Sequence, residues 1–440
     1  MSAFALRLTL LELNEINFDV AAQYLERYPT KLTHIQRIIN SGLITTLAEK
    51  NYDELEPWVQ WASVHTGLTY NQHGIFRLGD VVGADSPQIF ELIELAGFSV
   101  GSISAMNTEN RLKNAAYFIP DPWTKTLSDD SFWSKALTEA VSQAVNDNSQ
   151  AKITFKTAVQ IILALLRFAR PKHYLRYVKY IFQSRWKPWL KPLVLDLLLY
   201  DIHYSFFKNR NPNFSTLFLN AGAHIQHHYF FNAEPIRQSI SIKNPTWYIK
   251  ESADPLLDSL ELYDLICGEL LDRKDSELII ATGLSQKPYD RVKFYYRLKA
   301  HEKFLEQLGL SYTAVHPRMT RDFLVEFQSE LDAAEAEAIL KKILIESDGS
   351  PLFGVIENRG SSLFVTLTYS NEIDETTNFI INEQVILLKP HVVFVAIKNG
   401  MHQSEGYAFC TTGFASYMPE QGAHVAEIGK SILSYFGVKH

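Results

Sequence analysis

Along the chain, mostly apolar runs of four to six residues alternate with polar punctuation. Leu8–Leu13 is such a run, closed by Asn14 and Glu15. It reads as a buried strand whose carboxyl end carries polar groups. A helical stretch follows over Val20–Asn40, with Gly42 as its stop, and Gln88–Ala96 reads as a second helix. Gly97 comes next, then a strand at Phe98–Ser104. Helix, glycine, strand is the rhythm of a doubly wound sheet. Further strands are expected at Thr216–Leu219, Glu277–Ala281, Leu363–Leu367, Val392–Ile397 and Tyr407–Cys410. Several are near-continuous apolar runs, as parallel strands covered on both faces should be. The expected fold class is α/β with a mostly parallel, doubly wound sheet. In such sheets ligands bind at the carboxyl ends of the strands, so the polar residues there are the candidates for chemistry.

Two segments interrupt this rhythm. Residues 151–210 carry twelve Lys and Arg against only Asp196 and Asp201, inside a chain of net charge −7. Tyr174, Tyr177, Tyr180, Phe182, Trp186 and Trp189 are interleaved with the basic residues. That mixture suits a helical insertion with a solvated basic face, or one that meets an anionic membrane surface. Residues 318–390 read as a second α/β insertion, with an Ala/Glu/Lys-rich helix at Leu331–Ile345. The expected order is therefore core (1–150), basic aromatic insertion (151–213), core (214–317), small α/β insertion (318–390) and core (391–440). The acidic overall balance does not suit a nucleic-acid partner. Two cysteines, Cys267 and Cys410, make no disulfide framework. The start of the chain lacks the pattern of a secretory signal, and no run of 18 apolar residues occurs. The expected location is cytoplasmic, with peripheral membrane association through 151–210 as the variant.

Four short segments gather residue types able to do chemistry. Asn14 and Glu15 close the first strand. Glu56-Pro57-Trp58-Val59-Gln60-Trp61 opens a helix, since Pro57 suits its first position. The run ends at Thr66-Gly67-Leu68, and His73-Gly74-Ile75 follows. Asn220 and His224, then Gln226, His227 and His228, come just after a strand. Histidines so clustered can bind a metal or move protons. His402 lies in the loop between two late strands.

In this order the segments resemble the alkaline phosphatase superfamily, which includes sulfatases, nucleotide pyrophosphatase/phosphodiesterases and cofactor-independent phosphoglycerate mutases. Thr66-Gly67-Leu68 with His73-Gly74-Ile75 is the clearest match. The resemblance implies an alkaline phosphatase-like core over roughly 1–130, 214–310 and 395–440. It also implies that most of the family's ligands are replaced. The first metal-binding aspartate falls on Asn14, and the nucleophile on Pro57, which has no attacking atom. The Asp-x-x-x-His pair falls on Asn220 and His224, and Ser-Asp-His-Gly on Thr282-Gly283-Leu284-Ser285. The late histidine falls on His402.

The expected activity is a hydrolase or transferase with altered or absent metal use. Its substrate would be an anionic phospho- or sulfo-ester, or an activated or lipid-linked glycan. The alternatives are a metal-independent glycan enzyme built on Glu56 and a non-catalytic ligand-binding protein. Glu56, His224, His402 and Glu15 are expected to be catalytic. Asn14, Gln60, Asn220, His228 and Thr282 are expected to bind substrate. One divalent ion, zinc or manganese, would sit on His224 and His402. The competing expectation is no ion at all.

Overall fold

The computed structural model describes residues 6–146, 155–318 and 321–439; Lys152 of the basic segment falls outside them. The chain divides into two compact units, Met1–Pro288 with Gly400–His440, and Tyr289–Asn399.

The first unit is built on a seven-stranded sheet. Its order is Ile44–Leu47, Glu405–Cys410, Glu277–Ala281, Leu8–Leu13, Phe214–Leu219, Val100–Ile103, Tyr117–Ile119. All the strands run parallel except Glu405–Cys410, which is antiparallel to both neighbours. Leu8–Leu13 and Phe214–Leu219, at the centre, are buried at every position. Helices on both faces dictate that, and it explains their near-continuous apolar sequence.

On one face Trp61, Val64, Ile89, Phe90, Ile428 and Ile432 pack on Leu8, Leu10, Phe214, Phe218 and Ile279. The helix Ala426–Tyr435 comes so close to Pro57–Thr66 that a Cβ at Gly429 would stand 2.1 Å from the Val64 carbonyl oxygen. On the other face the helix Leu190–Arg210 covers the central strands, and His203 Nε2 lies 2.8 Å from Ser215 Oγ.

The stretch expected as one helix over Val20–Asn40 is two, Phe18–Arg27 and Thr33–Asn40. Pro29 is the physical reason. It disfavours helical geometry at Tyr28, which leaves the helix at φ −125°, ψ 57°. The basic aromatic segment is helical as expected, with helices Phe155–Phe168, Tyr174–Gln183 and Leu190–Arg210.

The second unit holds a four-stranded antiparallel sheet ordered Val355–Asn358, Ser362–Thr366, Asp322–Glu326, Ala314–Pro317. It also has a three-stranded sheet and the helices His301–Gln307 and Glu330–Leu340. The expected Leu331–Ile345 helix stops at Leu340, and Leu344–Ile345 turns into a short strand. The unit extends beyond 318–390 on both sides. Strands Ser285–Leu298 and Val392–Gln403 carry the chain in and out of it.

Candidate metal centre

Three adjacent strand ends, at Leu13, Leu219 and Ala281, define the site, all within the first unit. After Leu13 the chain is held between its neighbours: Asn14 N donates to Leu219 O (3.1 Å) and Glu15 N to Thr282 O (3.1 Å). Glu15 takes a left-handed backbone, φ 60°, which a residue with a side chain adopts only when its surroundings hold it there. Gln226 Nε2 holds the Glu15 carbonyl at 2.7 Å. The effect is to turn the Glu15 side chain inward, where it is buried.

Asn14 has its orientation fixed by Trp61. The indole N–H can only donate, and it reaches Asn14 Oδ1 at 2.7 Å. Asn14 Nδ2 must then face the other way, donating to Glu15 Oε1 at 3.0 Å and to Asn220 Oδ1 at 2.8 Å. Gln286 Nε2 donates to Glu15 Oε2 at 2.5 Å.

Two imidazoles meet the same oxygen. His227 Nε2 and His402 Nε2 each lie 3.1 Å from Glu15 Oε2, and 3.3 Å from one another. Their outer nitrogens face acceptors. His227 Nδ1 is 3.2 Å from the Gly400 carbonyl, and His402 Nδ1 is 3.7 Å from Glu56 Oε2. An N–H on each outer nitrogen leaves both Nε2 lone pairs aimed at Glu15. Backbone carbonyl on one ring and carboxylate on the other is the usual support of metal-binding histidines. The three donor atoms, 3.1–3.3 Å apart, match one face of the polyhedron around an ion with bonds of about 2.0–2.2 Å. Among the described residues these three form the one His/Cys/Asp/Glu group with metal-ligand spacing.

Burial works against charge on Glu15, but the facing His402 and His227 outweigh it and hold the carboxyl well below its usual range. Two Nε2 atoms cannot both point lone pairs at a carboxylate oxygen without a proton or a cation between them.

The expected site residues divide on this geometry. Glu15, His402, Asn14 and Asn220 are brought together, and Glu56 stands at the outer nitrogen of His402. His224, expected as a ligand, lies outside the triangle, which holds His227 instead. His224 instead meets His228, ring centroids 4.5 Å apart on the same helix. Gln60 braces the preceding loop, with Oε1 accepting from Glu49 N and Nε2 donating to Glu54 O. Thr282 Oγ1 accepts from Tyr407 N at 2.8 Å, which ties two strands together. His227 was marked in the sequence by its place in the histidine cluster, whereas Gln286, near the start of the strand Ser285–Leu298, had only its polar side chain to mark it. The motif that carried the resemblance is locally structural here. Gly67 and Gly74 end short helices in left-handed geometry, and His73 Nε2 lies 3.0 Å from Ser63 Oγ.

No family model matches the chain, and no curated protein resembles it in sequence. Solved structures do match it over nearly its whole length. Phosphonoacetate hydrolase from Sinorhizobium meliloti 1021 shares 12% identity at a TM-score of 0.42, covering 98% of this chain and 96% of its own. Human ectonucleotide pyrophosphatase/phosphodiesterase 5 shares 10% at 0.41, covering 98% and 95%. The TAB5 alkaline phosphatase shares 9% at 0.41, covering 99% of each chain. All three belong to the superfamily that the sequence motifs resemble. At these identities and scores the likeness transfers neither activity nor residue roles.

Proposed function

We propose that this protein is a hydrolase of anionic phosphate or sulfate esters, using one divalent ion held by Glu15, His227 and His402. The observation that carries the reading is the triangle of donor atoms 3.1–3.3 Å apart, with each imidazole's outer nitrogen facing an acceptor. A bound zinc or manganese would withdraw charge from an ester oxygen. The chain's own groups do the rest. Asn14 and Gln286 hold the Glu15 carboxylate, and Gly400 O fixes the tautomer of His227. Glu56 is more open to solvent than the triangle, at 36% side-chain exposure beside His402. There it can orient that ring or take a proton from attacking water. Pro57 offers no nucleophile, so water attacks the ester directly.

The test combines elemental analysis after dialysis without chelator with a turnover screen on aryl phosphate mono- and diesters and aryl sulfates. Wild type and His224→Ala should retain close to one equivalent of metal, and His227→Ala/His402→Ala should lose it together with turnover. Metal absent from the wild type, or kept by the double variant, would overturn the reading.

One observation favours a metal-free alternative. A proton on either imidazole would also satisfy Glu15, giving an acid/base cluster beside Glu56 suited to a glycosidic or phosphate-linked bond. Turnover that persists in chelator, and is lost in Glu56→Gln, would select it.

A further inference from the structure

The helical segment between the strands Tyr117–Ile119 and Phe214–Leu219 carries one helix with its apolar side outward. In the helix Tyr174–Gln183, Tyr177 and Tyr180 are the buried side chains. Tyr177 donates its hydroxyl to Asp201 Oδ2 at 2.9 Å, and Tyr180 takes a hydrogen bond from Arg176 at 3.1 Å. The opposite face carries Leu175, Val178 and Phe182, exposed at 86%, 66% and 56%. Their spacing of three and four residues lines them up in one stripe. Trp186, 58% exposed, continues the line, its ring 5.1 Å from that of Phe182. Leu166 on the preceding helix is 77% exposed. A surface helix of a soluble domain shows the reverse arrangement, and exposed apolar patches of this kind mark interaction sites.

Charge decides what the patch fits. Residues 151–210 hold only two acidic side chains, Asp196 and Asp201, and both are buried. Asp201 is consumed internally by Arg170, His173 and Tyr177. Arg167, Lys179 and Arg185 are exposed around the stripe, and the Arg185 guanidinium lies over the Phe182 ring at 5.1 Å. The outward charge of the segment is therefore positive, in a protein of net charge −7. No helix among the described residues is long and apolar enough to cross a bilayer. Leucine, phenylalanine and tryptophan flanked by lysine and arginine are the chemistry of a helix lying in the interface of an anionic membrane.

We infer that the helix Tyr174–Gln183, continued by Trp186, is a membrane-docking surface that seats the protein on anionic lipid. The apolar stripe enters the headgroup boundary while Lys179 and Arg185 contact lipid phosphates. The inference is independent of the metal centre.

The test is co-sedimentation of the full chain with vesicles of phosphatidylcholine alone, or of phosphatidylcholine with phosphatidylserine. Binding should require phosphatidylserine and weaken with added salt. Each basic charge removed should cost about fivefold in partition. Lys179→Glu/Arg185→Glu should therefore weaken binding by more than about 25-fold. Phe182→Ser/Trp186→Ser should abolish it even at low salt. All four side chains are surface-exposed or rimming, so an unchanged circular dichroism spectrum is expected, and His227→Ala should bind vesicles like the wild type. No binding of wild type to phosphatidylserine vesicles would overturn the inference, as would binding unchanged in both double variants. Light scattering that shows a wild-type dimer dissociated by Phe182→Ser/Trp186→Ser, with lipid binding unaffected, would assign the patch to a second copy instead.

Discussion

A carboxylate at position 14, where the resemblance implies a metal-binding aspartate, should harm this protein. In Asn14→Asp the new oxygen replaces Nδ2, which now donates to Glu15 Oε1 at 3.0 Å and to Asn220 Oδ1 at 2.8 Å. Asn220 can turn its amide and donate, so that contact is recoverable. Glu15 cannot, and it is buried like Asn14 itself. Two unit charges 3.0 Å apart repel by about 5 kcal/mol at an effective dielectric of about 20. Positive charge on His227 and His402 offsets part of this, so the expected loss in chelator is about 2–5 kcal/mol. A divalent ion reverses the logic, because a second carboxylate then adds to its binding. At about a hundredfold excess over its dissociation constant, an ion returns about 2.7 kcal/mol. The assay is urea unfolding followed by tryptophan fluorescence, run on wild type and variant with EDTA and with excess zinc or manganese. The variant should be the less stable in EDTA and should gain more from the ion. A variant within about 0.5 kcal/mol of wild type in EDTA would refute the account of how Asn14 supports Glu15.

Gly400→Ala would place its Cβ 2.1 Å from Gln286 Oε1 and 2.8 Å from the Gln226 carbonyl oxygen. It should lower metal affinity at least tenfold, read by metal titration, because both neighbours position Glu15. Trp61→Phe removes the donor that fixes Asn14 and should cost about 1–3 kcal/mol of stability in denaturant titration. Burial pushes the Asp196 carboxyl up to about 6, despite donors from Tyr263, Ala221 and Asn220. The folded form thus holds its proton above the ordinary value of 3.8, and this stabilising contribution is present at low pH and lost as pH rises through about 6. Asp196→Asn should remove about 3 kcal/mol of that decline, visible as a flatter profile of unfolding free energy between those two pH values.

The sequence by itself determined the core of the fold. Unbroken apolar runs such as Leu8–Leu13 specify strands covered on both faces, and the polar residues that stop them mark the sheet's carboxyl edge. Both are local properties, set by side-chain chemistry and chain direction. The basic, aromatic character of 151–210 was also legible, since composition needs no tertiary contact. Which helix faces turn inward was not. His224, His227 and His228 share one short helix, and at about 100° per residue His224 and His227 project only about 60° apart, so spacing alone does not choose between them. That His227 reaches Glu15 depends on Gly222 packing against Tyr263 and on Gln226 holding the Glu15 carbonyl. The partner ring comes from His402, far along the chain, through the pairing of Glu405–Cys410 with Glu277–Ala281. The outward apolar stripe was hidden for the same reason. Tyr174–Gln183 has aromatic residues on both sides, and only packing, with Tyr177 drawn in toward Asp201, decided which side was left to solvent.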